Sequence, residues 1–206
     1  MKVPLLNAAG VAILLATWFA AVPAQATTVV PPTFEEMTVR ADLIFVGTAT
    51  STYSEWRTNG PNRAIFTLTT FQTQDVLKGD KTPFVTLQFL GGTLGDVTLE
   101  VAGVPRFNAG ERVILFVEKN GSQFCPLVGV FNGKFTIKTD ETTGRDFVVM
   151  HDGHTLKDVA EIGSGEGAEL GPKRPIVLVG KDRDPMTLEG FKSAIRDNLA
   201  KARQTK

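Results

Sequence analysis

Between Leu43 and Met150 the chain alternates β-rich apolar runs with turn dipeptides, and this punctuation restricts what it can fold into. The runs are too short and too strand-like for helices, and turn signals return every ~8–12 residues, as in sandwiches and small barrels. Leu43 to Thr52 reads as a strand, with Gly47 inside it marking a bulge or bend. Asn59-Gly60-Pro61-Asn62 is a turn. Arg63 to Leu77 is the longest β-like segment, and both its faces are partly apolar, which predicts a central, coiled strand. Lys78 to Lys81 turns the chain, Phe84 to Leu90 is the next strand, and Val97 to Val101 follows a glycine-rich connection as the return arm of a hairpin. Arg112 to Glu118 is a buried strand. Asn120-Gly121 predicts a hairpin that pairs Phe124 to Phe131 back onto it. Asn132-Gly133 is another such turn, and a third near Gly144 joins the strands Lys134 to Lys138 and Asp146 to Met150.

Two helices flank this meander. Thr33-Phe34-Glu35-Glu36 has the form of a capping box, with Phe34 and Met37 on one side of the helix it opens. Thr187 to about Lys201 is an amphipathic helix, with Leu188, Phe191, Ile195 and Leu199 as a stripe that should dock on the chain's own core. Between them, Gly163 to Gly171 has the composition of a flexible loop, and Ile176 to Val179 is one short apolar run. No repeat or heptad pattern is visible.

The first 26 residues form a three-part export pattern: Lys2, the apolar run Val11 to Val22, and the small-x-small site Ala24-Gln25-Ala26. That run is shorter than the ~20 residues a spanning helix needs. The expectation is a signal peptide (1–26) cleaved after Ala26, a β-barrel domain with its helix (27–160), and a loop, short strand and helix (161–206). The mature chain would be periplasmic or extracellular, with no stable membrane insertion. With 22 basic and 22 acidic side chains there is no basic field for nucleic acid. Cys125 is the only cysteine, so stability rests on burial rather than disulfides, and its apolar neighbours predict a buried, inert thiol.

Chemistry-bearing motifs are few. The glycine-rich Gly91 to Asp96 lacks the GK[ST] and following helix of a phosphate loop. His151 and His154 are the only histidines. With Asp152 between them they could hold a transition metal, but Asp152-Gly153 is also a hairpin turn dipeptide. No nucleophile motif, carboxylate pair or cofactor fingerprint appears, so no cofactor is expected and the chain reads as non-enzymatic. Tyr53, Trp56 and Arg57 fall after the first strand and could form an exposed contact. Tyr53 to Asn62 and Gly91 to Asp96 are the candidate partner loops.

The strings ADLIFVGTATS (Ala41 to Ser51), DVLKG (Asp75 to Gly79), FLGGTLGDVTLEVAGVPRFNAGERVILFV (Phe89 to Val117) and CPLVGVFNGKFTI (Cys125 to Ile137) resemble a group of exported bacterial proteins of unassigned activity. More loosely, the strand order resembles the OB-like barrel of netrin-type domains and tissue inhibitors of metalloproteinases. The resemblance implies an antiparallel OB-like barrel or barrel-like meander. It also raises an inhibitory terminus: cleavage would expose Thr27, with Thr28 second, and an N-terminal amine can ligate an open zinc site. That family clamps the arm with cysteines, which this chain lacks. The expected function is therefore an exported binding module for an extracytoplasmic protein, with a metalloprotease as one partner class. The alternatives are a metal-binding protein or metal-dependent enzyme using His151, Asp152 and His154, or a structural envelope protein.

Overall fold

A computed structural model describes residues 31–59, 62–163 and 184–204. The export segment, Thr27, Thr28, and the glycine-rich loop and short strand expected over 164–183 lie outside these residues. Among the described residues no helix is long and apolar enough to cross a membrane.

Helix α1 (Phe34–Arg40) starts at the expected capping box. The Glu36 amide donates to Thr33 Oγ1 at 3.2 Å and the Thr33 amide donates to Glu36 Oε2 at 3.0 Å, so two amides at the helix start are satisfied. Its last carbonyls, of Thr38 and Val39, accept from Lys78 Nζ at 2.9 Å each. Strand β1 (Leu43–Asn59) and strand β2 (Asn62–Lys78) form one long antiparallel ribbon. Then come β3 (Phe84–Leu90), the small hairpin β4 (Gly92–Leu94) and β5 (Val97–Leu99), β6 (Arg112–Val117), β7 (Lys134–Thr139), β8 (Asp146–Val149) and helix α2 (Leu188–Gln204). The main sheet has six strands in the order β3-β2-β1-β6-β7-β8, and β4-β5 stands apart as its own two-stranded sheet.

The register of β1 on β2 slips at three places, between Ile44 and Phe45, Val46 and Gly47, and Ala49 and Ser51. Gly47 sits at one of them. A Cβ there would lie 2.8 Å from the Gln72 carbonyl oxygen, so the close approach needs glycine. Such slips coil the ribbon, so that its two faces serve two cores. Ile44, Val46, Ile114, Phe116 and Phe135 pack with Phe34 and Met37 of α1 and Phe191 and Ile195 of α2. Phe45, Phe71, Leu87, Phe89 and Phe107 pack with Val113, Leu115 and Val117 in the second core. Strand β6 therefore divides its residues between the cores by simple alternation, which explains its unbroken apolar run. The stripe of α2 docks on its own chain as expected. Lys192 and Arg196 meet Asp75 at 2.8 and 2.9 Å, and Asn198 bonds Thr38.

The antiparallel meander with its two helices stands, but the sheet is not closed into a barrel. Phe124 to Phe131 does not form the expected full strand. Only Val117 and Leu127 bridge; then Gly129 and Val130 take φ of 64° and 62°, and the chain enters a 3-10 turn at Val130–Gly133. The extended path needed to close a barrel ends at those two left-handed residues. The outer edge of β3 is instead capped by the loop after β6. Asn120 Oδ1 accepts from the Gln88 amide at 3.1 Å, Asn120 Nδ2 donates to the Thr86 carbonyl at 2.9 Å, and the Leu90 amide donates to the Phe124 carbonyl at 2.7 Å. At the other edge, Val148 donates to the Met186 carbonyl and accepts from the Leu156 amide. Both edges are thus covered without closure.

Candidate binding groove

The far half of the β1–β2 ribbon carries a ladder of hydroxyls. Thr52 faces Thr69 across the strands, with their hydroxyls 2.5 Å apart, and Ser54 faces Thr67 at 3.1 Å. Residues two apart on a strand share a face, so these four side chains line one surface. The second core continues along that surface below them through Phe89 and Phe107. Above, the β4–β5 hairpin is fastened to β2. The Gly91 amide donates to the Ile65 carbonyl at 2.8 Å, and Thr67 Oγ1 donates to the Gly91 carbonyl at 2.6 Å. Gly91 and Gly92 take φ of 101° and 142°, and a Cβ on Gly92 would fall 2.3 Å from Thr67 Oγ1 and 2.4 Å from Ser54 Oγ. The hairpin therefore reaches the ladder only because Gly92 has no side chain.

A third wall comes from the chain between β5 and β6. Phe107 anchors it by packing edge-on against Phe71, ring centres 5.0 Å apart, and at a tilt against Phe89 at 5.3 Å. Lys134 holds the same segment from behind. Its ammonium lies 4.3 Å from the Phe107 ring centre, donates to the Arg106 carbonyl at 2.9 Å and pairs with Glu111 at 2.7 Å. The three walls enclose a groove of about 400 Å³. One side presents the hydroxyls of Thr52, Ser54, Thr67 and Thr69; the other presents Leu99, Val101 and Val104. Arg106 is the one charged residue in its lining. Such a mixture, a fixed apolar surface with a few oriented polar groups, is the usual composition of a ligand site.

The two segments expected as partner loops meet here, but not as loops. Tyr53, Trp56 and Arg57 belong to β1, which runs on to Asn59 because β2 pairs with it throughout. Alternation puts Tyr53 and Arg57 on one face and Trp56 on the other, so the three do not form a single contact. Tyr53 is 51% exposed and lies at the groove edge. Arg57 bonds Glu55 and Gln88, and Trp56, 43% exposed, carries the Arg63 guanidinium 5.6 Å from its ring centre. Gly91 to Asp96 forms β4 and the turn into β5.

His151, Asp152 and His154 occupy a turn after β8. Asp152 Oδ1 accepts from the His154 amide at 2.9 Å, and the Met150 amide donates to the His154 carbonyl at 2.8 Å. The His151 ring lies against Phe131, centroids 4.4 Å apart, while His154 Nε2 lies 3.6 Å from Glu161 Oε2. The side chains thus go to separate partners, and among the described residues no three His, Cys, Asp or Glu side chains are grouped to hold a metal ion. Cys125 is buried, and burial pushes its thiol up to about 11.

Sequence reading missed the hydroxyl ladder and the 104–108 wall. A signal for the ladder existed: Thr52 and Ser54, and Thr67 and Thr69, place hydroxyls at period two along each strand. No local signal marks the wall, because its placement depends on Phe107 reaching rings far away in sequence. No family model matches the chain, and no curated protein or solved structure matches it significantly.

Proposed function

We propose that this protein is an exported, non-enzymatic binding module that holds a partner protein of the cell exterior in the groove between the β4–β5 hairpin and the β1–β2 ribbon. The observation that carries this reading is the groove itself: about 400 Å³, walled by hydroxyls on one side and aliphatic side chains on the other. Its walls are held by backbone hydrogen bonds, buried rings and Lys134, so little ordering cost remains to be met on binding. A photo-crosslinking amino acid at Thr93, on the groove rim, in cells expressing the full chain tests it. The expected result is a discrete cross-linked partner that disappears when Val104→Trp fills the groove. A cross-linking pattern indifferent to that substitution refutes the reading.

A second reading, inhibition of a zinc protease by a terminus at Thr27 and Thr28, gains support from one contact. Pro31 and Pro32 are buried, and Gly129 and Gly163 lie so close to Pro32 that a Cβ on either would come within 2.7 Å of it. Pro31 and Pro32, the described residues nearest that terminus, are thereby packed without a disulfide. Assay of a zinc-protease panel against the mature chain, beside a version extended by one N-terminal residue, tests this. Inhibition lost on extension supports it, and no inhibition by either form removes it.

A further inference from the structure

We infer that the groove recognises the C-terminal end of a polypeptide: a free α-carboxylate on an apolar last residue. The inference rests on the groove reading above and adds the chemistry of what is bound.

The argument starts from Arg106. Its backbone is fixed, since its carbonyl accepts from Lys134 Nζ and the next residue, Phe107, is buried among rings. Its guanidinium, by contrast, has no carboxylate or carbonyl partner among the described residues, and the side chain is exposed at the groove. No acidic residue lines the groove; Asp96 and Glu100, on and beside the same hairpin, lie outside the lining. One uncompensated cation beside neutral hydroxyls matches one negative charge, and guanidinium matches a carboxylate through two parallel hydrogen bonds. A phosphate dianion would call for a second cation or a fan of amides, and the lining supplies no second cation.

The remaining lining decides where that carboxylate sits in its molecule. Val101 and Val104 precede Arg106 in the chain and present aliphatic surface to the groove. The hydroxyls of Thr52, Ser54 and Thr67 face them across it and can accept from backbone amides. An apolar C-terminal residue offers all three complements within one residue: a carboxylate, an aliphatic side chain and an amide. An internal Asp or Glu brings the carboxylate but leaves Val101 and Val104 without an apolar partner. The volume, near the lower end for ligand pockets, suits a chain end rather than a long segment.

The test uses the full mature chain and fluorescently labelled hexapeptides with randomised apolar C-termini, read by anisotropy. Each best binder is remade in three forms: free acid, C-terminal amide, and amide with an internal Asp. The expected result is binding of the free acid, weakened at least tenfold by amidation and not rescued by the internal Asp. Arg106→Ala should weaken the free acid to the level of the amide, and Arg203→Ala, an exposed cation on α2, should leave it unchanged. Equal binding of acid and amide, an unchanged affinity in Arg106→Ala, or no binder in the library overturns the inference. The groove reading fails separately, if Val104→Trp leaves partner cross-linking intact.

Discussion

Gly92→Ala tests the physical claim on which the groove depends, that the hairpin reaches the hydroxyl ladder only through a missing side chain. Two costs are readable from the structure. The residue holds φ of 142°, where an L side chain is strained by roughly 1–3 kcal/mol. The added Cβ would also lie 2.3 and 2.4 Å from the oxygens of Thr67 and Ser54, and relieving such overpacking costs roughly 1–3 kcal/mol. Thr67 cannot swing away freely, because its hydroxyl also holds the Gly91 carbonyl at 2.6 Å. The sum is about 4 kcal/mol, which for a domain of this size corresponds to roughly 8–16 °C in Tm if the loss is global. If the hairpin detaches alone, the same free energy appears as faster amide exchange in the hairpin and in the adjoining β2 amides, with a smaller Tm change. Gly95→Ala is the internal control. It has φ of 60° in the turn of the same hairpin, but nothing lies within 4 Å of its Cβ, so it should cost only about 1–2 kcal/mol. Urea denaturation with hydrogen exchange on both variants separates the terms. If Gly92→Ala costs no more than Gly95→Ala and protects the hairpin equally well, the contact argument is wrong.

Three further outcomes follow from the packing and charges. Phe107→Ala should cost about 3–5 kcal/mol by emptying the space between Phe71 and Phe89, and should free the 104–108 wall, read as lost Tm together with proteolysis near Arg106. The Cys125 thiol, pushed up to about 11 by burial, should stay unmodified by a thiol reagent at pH 8 in the folded protein and react fully in denaturant; fast modification of the native chain would contradict its burial. Asp146 is held at about 2 by hydrogen bonds from Arg112, at 2.5 and 2.9 Å, and from Thr139. An unfolded aspartate titrates near ~3.9, so this pair's stabilisation is complete above about pH 4 and lost as pH falls towards 2. The pair is partly exposed, so solvent screening limits the effect to about 1 kcal/mol, and Asp146→Asn should remove that acid-dependent part of the stability curve.

How much was legible beforehand depended on the range of the interactions. The capping box of α1, the stripe of α2 and the apolar run of β6 are local patterns, and each forms where the sequence indicates. The extent of β1 was not legible. Tyr53 to Asn59 carries polar and exposed side chains and reads as a loop, yet pairing with β2 carries it as strand. Nor was barrel closure. Asn120-Gly121 correctly turns the chain, but the returning segment is diverted at Gly129 and Val130, and Asn120 is used to cap the edge of β3 instead.

The amino-acid sequence by itself determined the antiparallel meander, its flanking helices and a lone cysteine placed for burial, because period, caps and turn dipeptides act over a few residues. Only the tertiary structure decided that the sheet stays open, that Tyr53, Trp56 and Arg57 point to different faces, and that the hydroxyl ladder, the β4–β5 hairpin and Arg106 surround one groove. Those outcomes rest on contacts between residues far apart in the chain, such as Phe107 with Phe71 and Asn120 with Thr86, which no local pattern encodes.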